Sequence, residues 1–153
     1  MKIVVAADHA GYPLKQMILA DLKVAHHETV DLGTFHPEEN DDYPDFAALA
    51  CETVHLGKAD RAIILCGSGV GACVAANKFP GIRAGLCHDH YSAHQGVEHD
   101  NMNVLCIGAR VVGQEVAREI VLAFTTAKFS GETRHVRRLK KLKMIEQRFL
   151  KEG

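Results

Sequence analysis

The sequence predicts an α/β protein of three layers, α/β/α. A five-stranded parallel sheet carries helices on both faces, with an extra helix at the C-terminus. Three observations predict it. Short β-branched runs alternate with segments of helical period along nearly the whole chain, and such alternation builds parallel sheets covered on both sides. The run Ile63-Ile64-Leu65-Cys66 is apolar without a break and stops at Gly67-Ser68-Gly69-Val70-Gly71, as a buried strand does when it meets a turn. The final segment, Arg134 to Lys151, has an apolar stripe at helical spacing but follows the last strand, so it stands outside the alternation.

Taken in order, residues 2–7 (KIVVAA) read as the first strand, and Tyr12 to Ala25 as a helix with Leu14, Met17, Ile18 and Leu22 on one side. Glu28 to Leu32 is a second, weaker strand. Gly33 to Pro44 is a polar loop rich in Asp, Asn and Pro, long for a βα connection. Asp45 is expected to cap a helix reaching about Leu56. After the central strand and its glycines, Ala72 to Lys78 holds strong helix formers. Arg83 to Cys87 is a strand, Tyr91 to Glu98 a helix, and Asn103 to Gly108 the fifth strand. Gln114 to Ala127 and Glu132 to Phe149 are helices. With no repeat, low-complexity stretch or linker, residues 1–153 read as one domain, long enough for a full core.

Composition narrows the function classes. A formal charge of −1 provides no whole-molecule field for nucleic acid. No run approaches the roughly 20 apolar residues of a membrane span. Met1 to Asp8 is too short in its apolar part for a secretory signal. Five cysteines, an odd number without a CxxC, argue for a reducing cytoplasm rather than a disulfide framework.

Ligands in open parallel sheets bind beyond the carboxyl ends of the strands. Asp8-His9, Cys66 with its glycines, His88-Asp89-His90 and Ala109-Arg110 all fall at such ends. Glycines at 67, 69 and 71 are expected to take positive φ and turn their N–H groups into an anion cradle. The following helix adds its positive end. A thiol placed there gains thiolate character, so Cys66 reads as a nucleophile or base beside an oxyanion hole. The other cysteines, 51, 73, 87 and 106, lie within elements and read as small buried hydrophobes.

Residues 67–72 also fit the dinucleotide pattern GxGxxA, but they follow the third strand, whereas that fingerprint belongs in the first βα turn. The first turn here is Asp8-His9-Ala10-Gly11, where an acid would repel a pyrophosphate. His90 and His94 share a helix face, yet no HExxH or CxxC accompanies them, so they read as solvated and no metal is expected. His99 differs, because it ends a helix where a side chain can reach a neighbouring site. The tail from Arg134 to Lys151 holds eight Lys/Arg against one acid, Glu146. No aromatic residues interleave with Arg134 and Arg138, an i, i+4 pair. One phosphate clamp explains the pair better than a nucleic-acid surface.

Together these blocks resemble the B-type ribose-5-phosphate isomerases, in the family that includes galactose- and allose-6-phosphate isomerase subunits. The matching stretches are Asp8-His9-Ala-Gly, Asp42-Tyr43-Pro44, Cys66-Gly-Ser-Gly-Val-Gly, Ala75-Ala-Asn-Lys, Gly81-Ile-Arg, Asn103-Val-Leu, Gly108-Ala-Arg110 and Arg134-His-x-x-Arg138. The resemblance runs nearly end to end. It implies a Rossmann-like fold, aldose–ketose isomerisation without metal or other cofactor, and a homodimer or tetramer with active sites shared between subunits.

By the same resemblance, Cys66 is the base that moves a proton between C2 and C1 through a cis-enediolate. The N–H groups of Gly67, Ser68, Gly69, Val70 and Gly71, with Ser68 itself, hold the enediolate oxygen. His99 opens the sugar ring. Asp8 and Tyr43 hold hydroxyls, while His9, Arg110, Arg134 and Arg138 hold the phosphate. Some relatives replace the cysteine with a glutamate at the position of Ala72; Cys66 with Ala72 places this chain on the cysteine branch. Where the family usually follows the histidine with a substrate-binding Asn, this chain has Asp100-Asn101. Either Asp100 turns away from the enediolate or the substrate differs. The expected substrate is ribose 5-phosphate, with a six- or four-carbon sugar phosphate as the close alternative. A non-catalytic phosphate- or nucleotide-binding module would need neither Cys66 nor His99.

Overall fold

The computed structural model describes residues 1–37 and 40–150. Lys151, the last charge of the basic tail, and residues 38 and 39 of the polar loop lie outside the described residues. The elements run β1 (Lys2–Ala7), α1 (Tyr12–Val24), β2 (Glu28–Asp31), α2 (Tyr43–His55), β3 (Arg61–Cys66), α3 (Val70–Ala76), β4 (Ala84–Leu86), α4 (His90–Asp100), β5 (Val104–Gly108), α5 (Gln114–Thr126) and α6 (Thr133–Leu150). All five strands are parallel, in the order β2-β1-β3-β5-β4. The expected α/β/α layering with an extra C-terminal helix is what the chain forms.

The period of two in the strands sorts side chains onto two cores. Ile3, Val5, Ile63, Leu65, Leu105 and Ile107 face α1, α4 and α5. Val4, Ala6, Ala62, Ile64, Cys66, Val104 and Cys106 face α2 and α3. The second face carries smaller residues, and Ala47, Ala50, Ala72 and Ala76 meet it from the helices, so α2 and α3 lie close on the sheet. This arrangement positions the site. Neighbouring strands β1 and β3 send their helices, α1 and α3, to opposite faces, and a crevice opens beyond their carboxyl ends.

Local departures from expectation have local causes. Helix α2 begins at Tyr43 with Asp42 at the cap position and Pro44 in its first turn, because proline is pre-set for that turn and has no N–H to lose. Asp45 therefore lies inside the first turn rather than capping it, where its charge favours the helix dipole. Strand β4 has only three residues. Asn77 extends its pairing by donating to Ala84 O and accepting from Ala84 N–H, both at 3.0 Å.

Lys15 was not distinguished by the helical pattern, yet its side chain is fully buried. Its ammonium donates to Asp31 Oδ1 and to Thr34 O, both at 2.7 Å, and lies over the rings of Tyr12 and Phe35. A buried charge persists only when paired in this way. It ties α1 to the end of β2.

Helix α6 packs against α4, and His135 is its buried residue. Beyond that contact Leu142, Met144, Ile145, Phe149 and Leu150 are exposed. The apolar stripe read from the sequence is present and largely uncovered.

Candidate active site

A cavity of about 370 Å³ opens at the carboxyl ends of β1, β3 and β5. Asp8 enters it from β1, Cys66, Gly67 and Ser68 from β3, and Arg110 and Val111 from the turn after β5. Tyr43, at the start of α2, and Gly71, in α3, close the rim. Two main-chain bonds lock the floor. Ala109 N–H donates to Cys66 O at 2.8 Å, and Arg110 N–H donates to Gly67 O at 3.0 Å. The Arg110 guanidinium is thereby laid over Gly67, its Nη1 at 3.4 Å from where a Cβ would stand.

The three glycines do different work. Only Gly69 has a positive φ, 77°, and it forms the turn into α3. Gly67 and Gly71 provide room instead. A Cβ on Gly71 would lie 2.6 Å from Tyr43 Cζ, so the absent side chain is what lets the tyrosine ring reach the crevice. The expectation of positive φ at all three is corrected accordingly, and Gly71 belongs to the helix rather than the loop.

The donors are also divided. Gly69 N–H donates to Cys66 Sγ at 3.1 Å, and Val70 N–H donates to Ser68 Oγ at 3.2 Å. The N–H groups of Gly67, Ser68 and Gly71 make no hydrogen bond among the described residues. These three, not all five of residues 67–71, are the donors open to an incoming anion. Cys66 is 4% exposed, reached through the cavity it lines. The Gly69 N–H is directed at its sulfur, and the thiolate is the form in which a cysteine takes a proton.

Asp8 is held by its own turn, with Oδ1 accepting from Ala10 and Gly11 N–H at 3.0 Å. His9 stands beside the crevice, its main-chain N–H and ring Nδ1 both on Asp41 Oδ1, at 2.9 and 2.8 Å. Burial alone would raise the Asp41 carboxyl, but the bonds from His9 and Thr34 hold it below its usual value. It is a carboxylate at neutral pH that orients the histidine and leaves Nε2 for a ligand. Asp41 escaped the sequence reading because it sits in a polar loop with no period or motif, 32 residues from the ring it binds.

His99, Asp100, Arg134 and Arg138 are not brought to this cavity. His99 lies near the end of α4, its Nδ1 2.8 Å from Gln95 Nε2 and its ring stacked on His135 at 4.1 Å. Arg134 pairs with Glu132 at 3.1 Å on the open side of α6. Asp100 lines a separate cavity of about 840 Å³ between α4 and α6. One chain thus holds two groups of expected site residues.

Among the other cysteines, Cys51 and Cys87 are buried and their thiols pushed up by desolvation, to about 12 and about 11. Cys73 departs from the buried-hydrophobe reading. It is half-buried on α3, and a hydrogen bond with Cys106 lowers its thiol to about 7; it does not line the crevice.

The histidine-rich segment forms no convergent metal-ligand group among the described residues. His90 and His94 merely stack at 6.2 Å. Asp8, His9 and Asp41 do converge, their ligand atoms within 4.8 Å of one another. The bonds already described occupy His9 Nδ1 and one oxygen of each acid.

Residues 3–142 match the family described as Ribose/Galactose Isomerase. The chain is 44% identical over 147 residues to ribose-5-phosphate isomerase B of Escherichia coli, covering 96% of this chain and 97% of that protein. It is 41% identical to D-erythrulose-4-phosphate isomerase 2 of Mycolicibacterium smegmatis, over 87% of this chain and 89% of that one. The solved structure of Clostridium thermocellum ribose-5-phosphate isomerase B superposes with a TM-score of 0.94 at 44% identity, covering 97% and 99% of the two chains.

Proposed function

Because the chain belongs to the Ribose/Galactose Isomerase family and is an aldose–ketose isomerase of sugar phosphates, we propose that it interconverts ribose 5-phosphate and ribulose 5-phosphate with Cys66 as the base. One observation carries the reading. The sulfur that accepts the Gly69 N–H lies in a crevice with three uncommitted main-chain donors. Isomerisation needs this pairing of a base with preorganised donors. The thiolate removes the proton from C2 of the aldose. The N–H groups of Gly67, Ser68 and Gly71, with the Ser68 hydroxyl, take up the negative charge that develops on the enediolate oxygen. The O2 hydroxyl proton passes to O1 within the enediolate, and the protonated thiol returns its proton to C1, giving the ketose. Asp8 and Tyr43 hold hydroxyls at the rim.

The phosphate falls to Arg110 and His9, joined by Arg134 and Arg138 of a second copy, whose His99 opens the furanose ring. The separation of these groups within one chain, together with the uncovered stripe of α6, supports a homodimer with shared sites. Assay against aldose phosphates of four, five and six carbons tests the substrate. The five-carbon sugar should give the highest kcat/KM. Preference for a four-carbon sugar would place the chain with the erythrulose-4-phosphate isomerases among its relatives.

Two substitutions probe the rim and the departure at residue 100. Gly71→Ala should push the Tyr43 ring aside and raise KM about tenfold, the equivalent of about 1.4 kcal/mol of binding. An unchanged KM would remove Tyr43 from the binding surface. Asp100→Asn should leave ribose 5-phosphate turnover intact or raise it, since Asp100 lines another cavity and a carboxylate facing the enediolate would repel it. Loss of turnover in that variant would give Asp100 a role of its own.

A further inference from the structure

His135 is 1% exposed, yet its Nε2 has no hydrogen-bond partner among the described residues. An unpaired buried nitrogen is costly, and an apolar side chain would fill the place without that cost. The ring is nonetheless held with care. Nδ1 lies 2.6 Å from Ser130 Oγ, and Ser130 N–H in turn donates to Glu98 O at 2.9 Å, in the last turn of α4. That chain of bonds fixes the imidazole flat beneath His99, centroids 4.1 Å apart and planes 27° from parallel.

On the other side, Gln95 reaches His99 Nδ1 at 2.8 Å from one helical turn earlier. The two neighbours engage one ring edge and one ring face. Among the described residues Nε2 has only the Glu98 carboxylate near it, at 3.7 Å, beyond hydrogen-bond reach, and is the nitrogen left for a substrate. We propose that His135 and Gln95 are positioning residues for His99, holding its ring so that Nε2 exchanges the proton of sugar-ring opening.

The chemistry of both neighbours suits this task. Burial, then the charges of His99 and Arg134, lower the His135 basicity, so it is a neutral ring. A neutral face does not oppose a positive charge on His99, as a second imidazolium at 4 Å would. A carboxamide serves both protonation states of its neighbour. It donates to a bare Nδ1 and, turned end for end, accepts from Nδ1–H. In the step itself the C1–O4 bond breaks and its electron pair goes to O4, which takes the Nε2 proton of the His99 imidazolium. The C1 hydroxyl loses its proton to solvent as the aldehyde forms, and His99 is reprotonated from solvent.

The inference rests on the ring-opening reading of His99, and the test separates the two. Ribulose 5-phosphate is acyclic, because its C5 oxygen carries the phosphate. Exchange of its C1 hydrogen with deuterated solvent reports proton transfer at Cys66 without any ring step. His135→Leu and Gln95→Leu should each lower kcat on ribose 5-phosphate about tenfold or more, while that exchange stays within about twofold of wild type. His135→Phe, which keeps the flat face, should recover most of the turnover.

His99→Ala is the control. If it shows this split and both leucine variants do not, the positioning role is overturned. If His99→Ala slows both reactions alike, the ring-opening reading itself fails. Should His135→Leu not fold, Gln95→Leu and His135→Phe decide: a split in the first with activity in the second supports the proposal, and any other result overturns it.

Discussion

Cys66→Ala should lower kcat for ribose 5-phosphate by about 10³-fold while leaving substrate affinity nearly unchanged. The thiol is asked only to move a proton, and a positioned acid–base group contributes about 10²- to 10⁴-fold. Loss of kcat without loss of binding is the signature of such a group. Arg110, Asp8 and Tyr43, which line the same cavity, remain to hold the sugar and its phosphate. Calorimetric titration with ribulose 5-phosphate measures the affinity, and C1 exchange in deuterated solvent should vanish with turnover. Cys73→Ala is the informative comparison, because Cys73 has the thiol lowered to about 7 yet lies outside the crevice. It should stay close to wild type. An active Cys66→Ala beside a dead Cys73→Ala would transfer the chemistry to the wrong sulfur for this mechanism and end it.

Mixing two inactive variants should restore activity. In Cys66→Ala every site lacks its base, and in Arg134→Ala every site lacks part of its phosphate clamp. If sites are shared, a mixed dimer gathers both lesions into one site and leaves the other wild type. Random reassociation of equal amounts then gives about a quarter of wild-type activity. If Cys66 and Arg134 of one chain served the same site, every site would keep a lesion and the mixture would stay dead. Dissociation and reassociation of the two proteins, with mixed dimers counted by native mass spectrometry, decides between the outcomes. The single chain already favours the first. Arg134 is engaged with Glu132 and does not line the cavity, and Leu142, Ile145 and Phe149 on the same helix are exposed.

Much of the architecture was legible because its causes are local. An uninterrupted run such as Ile63 to Cys66 must be buried on both faces, and the following Gly67-Ser68-Gly69 must turn. Those two facts put a thiol at a strand end. Repeated over five strands, they set the sheet, its layers and the edge where Asp8, Cys66 and Arg110 meet. Element boundaries moved by a few residues where one side chain outweighed the pattern, as Pro44 did in starting α2 early.

What tertiary structure alone decided lies in contacts between distant residues. Gly71 looks like a loop glycine in sequence, but it is helical and small because Tyr43 crosses it. The Gly69 and Val70 N–H groups look like oxyanion donors, yet they are taken by Cys66 and Ser68. His9 acquires an orienting carboxylate 32 residues away, and Lys15 buries its charge against Asp31 and Thr34. His99 reads as a histidine at a helix end, and only packing sets His135 beneath it. The period of a segment follows from backbone sterics and the need to hide apolar surface, which act on neighbours. Which polar groups meet follows from how the elements pack, and no residue carries that information by itself.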